Sequence, residues 1–305
     1  MSIFTSTDGT SNKYGDKNTN IVELYSQIIK NDTQLTYYNS GVGTFSRPYG
    51  LAHKHMAEHF SSILDLAIAH KISKNIIHAY KWLSDRYKDG DKIFLFGFSR
   101  GAYQVRALAG MIHEVGLILP GNHEQIPYAF QLYSDINNRG RKLAEGFKAT
   151  FSRKRVVIHF IGVWDTVSSV GIRKAKNLPS TDTCSHVCYF RHALALDERR
   201  VKFLPEYVHG SMSDRCNETA DIKEVWFAGS HSDGHPLDFR DTPLLWMREE
   251  VLEAGLRLDV PKVAFRHSDF TEPKLTNSLT FPWWLLEVCP IRHLRYGSCD
   301  KHSER

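Results

Sequence analysis

The sequence predicts an α/β fold in which a mostly parallel central sheet carries helices on both faces. Three observations support this prediction: apolar segments of strand length alternate with helical patterns, no internal repeat interrupts them, and 42% of the 305 residues are hydrophobic. Helices placed between strands favour parallel pairing with right-handed crossovers. A chain of this length and composition can bury one large core, so we expect residues 1–305 to form a single domain.

Hydrophobic periodicity places the individual elements along the chain. One helix is predicted to begin at a cap, Asn20, and to end near Lys30. The remaining predicted elements are strands at residues 36–38, 93–98, 156–164 and 225–228 and helices over most of 52–88, in 102–115 and within 117–150.

The run from Ile93 to Ala102 is the most informative segment. Apolar residues that predict a buried strand lead into Gly97-Phe98-Ser99-Arg100-Gly101, and a helical pattern follows at once. This Gly-x-Ser-x-Gly turn has the layout of a nucleophile elbow, which exposes a serine hydroxyl above a parallel sheet. Glycines flank the serine because a Cβ would clash where the strand crowds the helix. The alternative is an ordinary strand–helix turn with an inactive serine.

Two later strands end on residues that a serine nucleophile needs. Asp165 follows the strand at 156–164, and His231 follows the strand at 225–228. The order Ser99, Asp165, His231 is that of α/β-hydrolases, in which histidine is the general base and aspartate orients it. A loop carboxylate at 165 and a surface histidine at 231 are the alternatives. Further candidates are Asp197 and Asp233 for the acid and His235 for the base.

An oxyanion hole requires backbone donors near the serine. The N–H of Arg100, the residue after the nucleophile, is one expected donor. The segment Asp8-Gly9-Thr10 is expected to supply the second from Gly9 or Thr10, because glycine lets the backbone approach a tetrahedral intermediate closely. A plain turn is the alternative interpretation of this segment.

Charge and composition exclude several classes of function. The net charge of +5 is scattered along the chain, so we expect no nucleic-acid partner, although it is compatible with transient contact with an anionic membrane surface. No secretory signal, membrane span or cysteine framework is apparent, and we expect a cytoplasmic protein with reduced thiols. No motif predicts a metal site or an organic cofactor, and nothing indicates the oligomeric state.

Several motifs together resemble a known family. They are Asp8-Gly9-Thr10-x-Asn12, Thr19-Asn20-Ile21-Val22, Tyr37 to Thr44, Gly97 to Arg106, Gly162 to Val167, Arg191 to Arg200, and Val225-Trp226-Phe227 with His231-Ser232-Asp233. This set resembles the α/β-hydrolase domain shared by fungal proteins and bacterial type VI secretion phospholipase effectors. The resemblance implies a serine lipase or phospholipase fold, and Ser99, Asp165 and His231 lie at the family's motif positions.

The leading hypothesis is therefore a serine hydrolase that cleaves carboxylic esters, plausibly of lipids, through an acyl-enzyme. Residues 117–150 and 265–295 are candidate lid or interfacial segments, with ordinary packing as the alternative. A competing hypothesis is a catalytically weak or inactive module that binds a lipid or a protein partner. A third is phosphoryl transfer with Asp8 as the nucleophile, which would require a metal that no second carboxylate pair near Asp8 is available to hold.

Overall fold

In the residues that a computed structural model of the chain describes, six parallel strands form one sheet. The structure describes residues 1–9, 18–41, 56–135, 138–153, 155–167, 178–182, 186–200, 205–208, 220–231 and 242–259. The strands are β1 (Ser2–Thr7), β2 (Gln34–Asn39), β3 (Lys92–Phe98), β4 (Ile158–Trp164), β5 (Val187–Ala195) and β6 (Asp221–Phe227). Their order in the sheet is β2-β1-β3-β4-β5-β6, and every pair is parallel. The predicted parallel α/β fold is confirmed.

Helices cover both faces of this sheet. They are α1 (Asn20–Gln27), α2 (Met56–Arg86), α3 (Arg100–Val115), α4 (Ile126–Ser134), α5 (Asn138–Phe151) and α6 (Thr242–Glu253), with a 3₁₀ turn at His123–Gln125. Apolar residues of α2 to α5 form one core with Ile93 and Leu95 of β3. The other face of β3 packs Phe94 and Phe96 against α1 and α6. Successive residues of a strand point to opposite faces, so one strand serves both cores.

The beginning of α1 differs from the sequence prediction. The N-cap is Thr19 rather than Asn20, and the Thr19 hydroxyl accepts from the amide of Val22 at 3.4 Å. The same hydroxyl donates to Oδ2 of Asp8 at 2.9 Å, so the cap also ties the helix to the end of β1. Asn20 becomes the first helical residue, and its side chain is buried.

The described part of residues 117–150 packs against the body of the domain. Leu117, Ile118, Ile126, Leu132 and Phe147 belong to the core that also contains the α3 side chains. A lid or interfacial role for this segment stays a prediction, and the second candidate segment, 265–295, lies outside the described residues. Among helices in the described ranges, none is long and apolar enough to cross a bilayer.

The serine turn depends on a glycine that admits no side chain. A Cβ on Gly101 would lie 2.2 Å from the carbonyl oxygen of Thr7 and 2.5 Å from that of Asp8. We expect Gly101→Ala to lower the free energy of unfolding by about 3 kcal/mol, because the backbone of α3 must move away from β1. Urea denaturation measures this change.

Gly146→Ala is the matched control, because Gly146 also lies on a helix, but a Cβ there would meet no atom of a neighbouring element within 4 Å. Alanine there should leave stability unchanged or raise it by up to about 1 kcal/mol, following helix propensity. Equal unfolding midpoints for the two variants would show that close approach to β1 is not what requires glycine at 101.

Candidate active site

Ser99 lies at the tip of a strained turn between β3 and α3. Its backbone has φ 56° and ψ −124°, in a region that non-glycine residues rarely adopt. Such strain costs on the order of 1–3 kcal/mol and persists only where the surroundings fix it. Here a Cβ on Gly97 would lie 2.5 Å from Cα of Ala102, and the amide of Ser99 donates to the carbonyl of Trp164 at 3.0 Å. The turn therefore has the conformation that the Gly-x-Ser-x-Gly motif predicts.

His231 follows β6 and reaches the serine hydroxyl. Its Nε2 lies 2.9 Å from Oγ of Ser99, and its ring stacks on that of Phe98 with centroids 4.9 Å apart. Both side chains of the hydrogen bond are buried. The ring of Phe98 thus packs against the imidazole, and the amide of His231, which donates to Oε2 of Glu198 at 3.1 Å, holds the backbone that carries it.

Asp165 follows β4 and hydrogen-bonds to the other ring nitrogen, Nδ1 of His231, through its Oδ2. Its other carboxylate oxygen accepts from the amide of Ala195 at 3.3 Å. Asp165 also has a positive φ, 42°, and its amide donates to the carbonyl of Ala193 at 2.8 Å. The structure thus brings the three predicted side chains into one continuous hydrogen-bonded chain. A carboxylate at Nδ1 keeps the proton there and leaves Nε2 free to accept from the serine.

Two carboxylates on the loop after β5 hold the backbone that carries His231. Oδ2 of Asp197 accepts from the amide of Gly229 at 2.8 Å, and Glu198 accepts from the amide of His231. Burial alone would raise the pKa of Glu198, but hydrogen bonds and charge from Arg200 outweigh it and hold that pKa below its ordinary value. Asp197 therefore contacts the loop backbone, whereas Asp165 contacts the imidazole.

The reserve candidates Asp233 and His235 lie outside the described residues. Sequence reasoning missed the role of Glu198, although Glu198 stood within the motif from Arg191 to Arg200. In the sequence, Glu198 is marked only by Arg200 two residues later, with which it forms an ion pair at 2.8 Å. That spacing does not predict a contact with His231.

The predicted oxyanion donors have different environments. Arg100 is the first residue of α3, so its amide belongs to the helix N-terminus that follows the serine. The amide of Gly9 instead donates to Oδ1 of Asp8 at 2.7 Å, which differs from its predicted role, because the preceding aspartate side chain captures it. Thr10 lies outside the described residues.

Asp8 organises the end of β1 beside the serine turn. Its buried carboxylate accepts from the amide of Gly9, the hydroxyl of Thr19 and the hydroxyl of Tyr38, the last at 3.2 Å. Burial and the charge of Asp8 raise the pKa of Tyr38 well above its ordinary value, so this hydroxyl remains a donor. With both oxygens engaged by protein donors, Asp8 is a structural anchor rather than an accessible nucleophile.

A small cavity opens beside the hydrogen-bonded chain. Its volume is about 60 Å³, and Asp165 and His231 line it together with Asn20, Phe98 and Trp164. The amide group of Asn20 and the indole nitrogen of Trp164 are buried and have no hydrogen-bond partner in the described part of the chain.

The described residues contain no group of three or more His, Cys, Asp or Glu side chains placed to hold a metal ion. What the assembled groups can do chemically is transfer a proton from a serine hydroxyl to an oriented imidazole. The parallel sheet and the serine turn at the end of β3 define an α/β-hydrolase-like protein.

Comparison with known sequences gives the family. Residues 2–250 match the family described as "T6SS, Phospholipase effector Tle1-like, catalytic domain". The chain belongs to this family of phospholipase effector catalytic domains, as the sequence motifs predict.

Individual relatives are similar over part of their length. An uncharacterized protein of Saccharomyces cerevisiae, YEL023C, is 38% identical over 210 residues, which are 64% of this chain and 31% of the yeast protein. The chain thus corresponds to about a third of this curated relative.

Two solved structures are similar at low sequence identity. An uncharacterized protein from Pseudomonas aeruginosa has 16% identity and a TM-score of 0.46, covering 88% of this chain and 48% of its own. The Tle1 effector, solved bound to the VgrG spike of the type 6 secretion system, has 18% identity and a TM-score of 0.42. The match covers 80% of this chain and 52% of the effector chain.

Proposed function

We propose that this protein is a serine hydrolase that cleaves carboxylic esters of lipids, phospholipids among them, through an acyl-enzyme on Ser99. The observation that carries the proposal is the continuous contact from Ser99 through His231 to Asp165 at the end of three parallel strands. Membership of a phospholipase effector family supports the ester class of substrate.

In the first half-reaction, Oγ of Ser99 attacks the ester carbonyl carbon while Nε2 of His231 takes the hydroxyl proton. The distance of 2.9 Å between these atoms is within the range that proton transfer requires. Asp165 stabilises the imidazolium that forms. His231 then gives its proton to the departing alcohol oxygen, and the acyl group remains on Ser99.

In the second half-reaction, water attacks the acyl carbon and His231 takes its proton. The tetrahedral intermediate collapses, the proton returns to Oγ of Ser99, and the carboxylic acid leaves. The amide of Arg100 is the proposed oxyanion donor. One such donor stabilises the transition state by roughly 3 kcal/mol. Thr10 remains the proposed source of the second donor, since the amide of Gly9 is bound to Asp8.

Lipid substrates are presented at a membrane surface, so the proposal includes transient contact of a cytoplasmic single domain with such a surface. The net charge of +5 favours anionic lipids. The proposed chemistry needs no cofactor, because the proton and acyl transfers use the three side chains, backbone N–H donors and water.

Covalent labelling tests the proposal directly. A fluorophosphonate probe should label the protein with a stoichiometry of one, and mass spectrometry should map the adduct to Ser99. His231→Ala should slow labelling sharply, because the serine then lacks its base. A folded protein that never reacts with the probe and hydrolyses no lipid or simple ester would contradict the proposal and favour the inactive binding module.

A further inference from the structure

A second histidine–carboxylate pair lies directly behind the candidate active site. His192 of β5 and Glu224 of β6 are paired in register across the sheet, and Nδ1 of His192 is 3.0 Å from Oε1 of Glu224. The histidine side chain is fully buried, and that of Glu224 is 2% exposed. Two ionisable groups are rarely placed so deep in a sheet unless their hydrogen bonds are specific.

The pair contacts the turn that carries Asp165. The amide of Thr166 donates to Nε2 of His192 at 3.1 Å. The amides on either side are also engaged, since Asp165 donates to Ala193 at 2.8 Å and Val167 donates to Ser99 at 3.3 Å. His192 is thus the side-chain acceptor for one of three successive amides that define the turn.

This turn has a conformation that needs external support. Asp165 has a φ of 42°, which is unfavourable for a residue with a Cβ. The backbone geometry at 165 and 166 sets the direction of the Asp165 carboxylate, and with it the hydrogen bond to Nδ1 of His231. Without an acceptor for the Thr166 amide, the turn would contain a buried unpaired donor, and its backbone would be expected to shift so that this N–H finds a partner.

The contacts determine the protonation state and tautomer of the His192 ring. An N–H that donates to Nε2 requires a lone pair there, so the ring is neutral and its proton lies on Nδ1, facing Glu224. Burial lowers the pKa of His192 below the ordinary imidazole value, and the charge of Arg106 acts in the same direction, although Glu224 and Asp165 oppose them. Protonation of the ring would replace the acceptor for Thr166 with a second donor.

We propose that His192 and Glu224 are positioning residues that hold Asp165 in the orientation that serves His231. Glu224 fixes the tautomer of His192, His192 binds the amide of Thr166, and the strained turn then directs the Asp165 carboxylate at the imidazole. The effect on catalysis rests on the proposed function, whereas the effect on the His231–Asp165 hydrogen bond does not.

Two substitutions at 192 separate positioning from packing. Glutamine can place its carbonyl oxygen near the position of Nε2 and accept from Thr166, whereas asparagine reaches only as far as Nδ1. We expect His192→Asn to lower kcat for ester hydrolysis on the order of 100-fold with KM unchanged, because a misplaced catalytic group costs rate rather than binding. His192→Gln should recover most of this loss.

A spectroscopic measurement complements the kinetics. The proton between His231 and Asp165 should give a downfield ¹H NMR resonance in the wild type and in His192→Gln, and this resonance should shift or broaden in His192→Asn. His159→Asn is the control, because His159 lies near the beginning of β4, away from the site, and its Nε2 contacts the carbonyl of Ala254 at 2.9 Å. It should change neither kcat nor the resonance.

Four outcomes are decisive. If the asparagine and glutamine variants at 192 match the wild type in kcat and in the resonance, or if both lose the same amount, the positioning role is wrong. A resonance that changes only in the asparagine variant supports it, even if no substrate has been found. A wild-type protein that shows the resonance but never hydrolyses esters or reacts with the fluorophosphonate probe contradicts the proposed function alone.

Discussion

Replacing Ser99 with alanine is expected to lower kcat for ester hydrolysis by a factor on the order of 10⁶, since removal of the nucleophile from a serine hydrolase costs about this much. The alanine variant should keep its fold, because the hydroxyl of Ser99 makes its hydrogen bond to His231 and does not cap α3. Initial rates on a lipid ester and on a small activated ester, measured with both proteins at matched concentration, give the ratio.

A second buried serine provides the control. Oγ of Ser84 donates to the carbonyl of Ile118 at 2.8 Å, within the core that α2 shares with the segment after α3. Ser84→Ala should cost about 1 kcal/mol of stability and leave kcat unchanged. Retention of more than a few per cent of the rate in Ser99→Ala would mean that another group carries the reaction.

The serine turn could be predicted from sequence because all its determinants are local. The apolar run of β3, the glycines at 97 and 101 and the helical pattern after them lie within one short stretch. The apolar runs at 156–164 and 225–228 also placed Asp165 and His231 at the ends of predicted strands. The strand order β3-β4-β5-β6 then brings those ends to one edge of the sheet, which is where reactive side chains of parallel sheets meet.

Other features depend on contacts between distant residues and could not be predicted. The strand β5 was not predicted, although Val187 to Phe190 has the β-branched and aromatic residues typical of a strand. Its polar residues at 191 and 192 obscure the pattern, and their partners, Glu250 and Glu224, lie on α6 and β6. Only the folded chain pairs them.

The same limit applies to the loop at the end of β1. Glycine at position 9 suggested an oxyanion donor, but the amide of Gly9 is captured by Asp8, whose other partners are Thr19 and Tyr38. Those two residues come from the start of α1 and from β2. A backbone donor is available to a substrate only if no nearby side chain competes for it, and competition of this kind is a property of the assembled site.

The two non-glycine residues with strained backbones in the described part of the site, Ser99 and Asp165, are also the ones that contact the ring nitrogens of His231. Ser99 follows β3 and Asp165 follows the neighbouring strand β4. The amide of Ser99 donates a hydrogen bond to the carbonyl of Trp164, the last residue of β4. The turn at Ser99 is therefore held by β4, whereas the turn at Asp165 is held by β5 through the hydrogen bond from its amide to the carbonyl of Ala193. In the proposed mechanism, these contacts set the relative position of Ser99 and Asp165 before any substrate binds, which is the preorganisation that proton transfer requires.

Asp165→Asn is expected to lower kcat at neutral pH by about 10⁴-fold while leaving the fold intact. Asparagine has nearly the shape of aspartate, but its amide group donates to Nδ1 of His231 and moves the ring proton to Nε2, which can then no longer accept from Ser99. Steady-state kinetics measures the loss. Asp197→Asn is the comparison, because an amide oxygen can still accept from Gly229, and it should change kcat far less. Equal losses in the two variants would remove Asp165 from the role of the orienting acid.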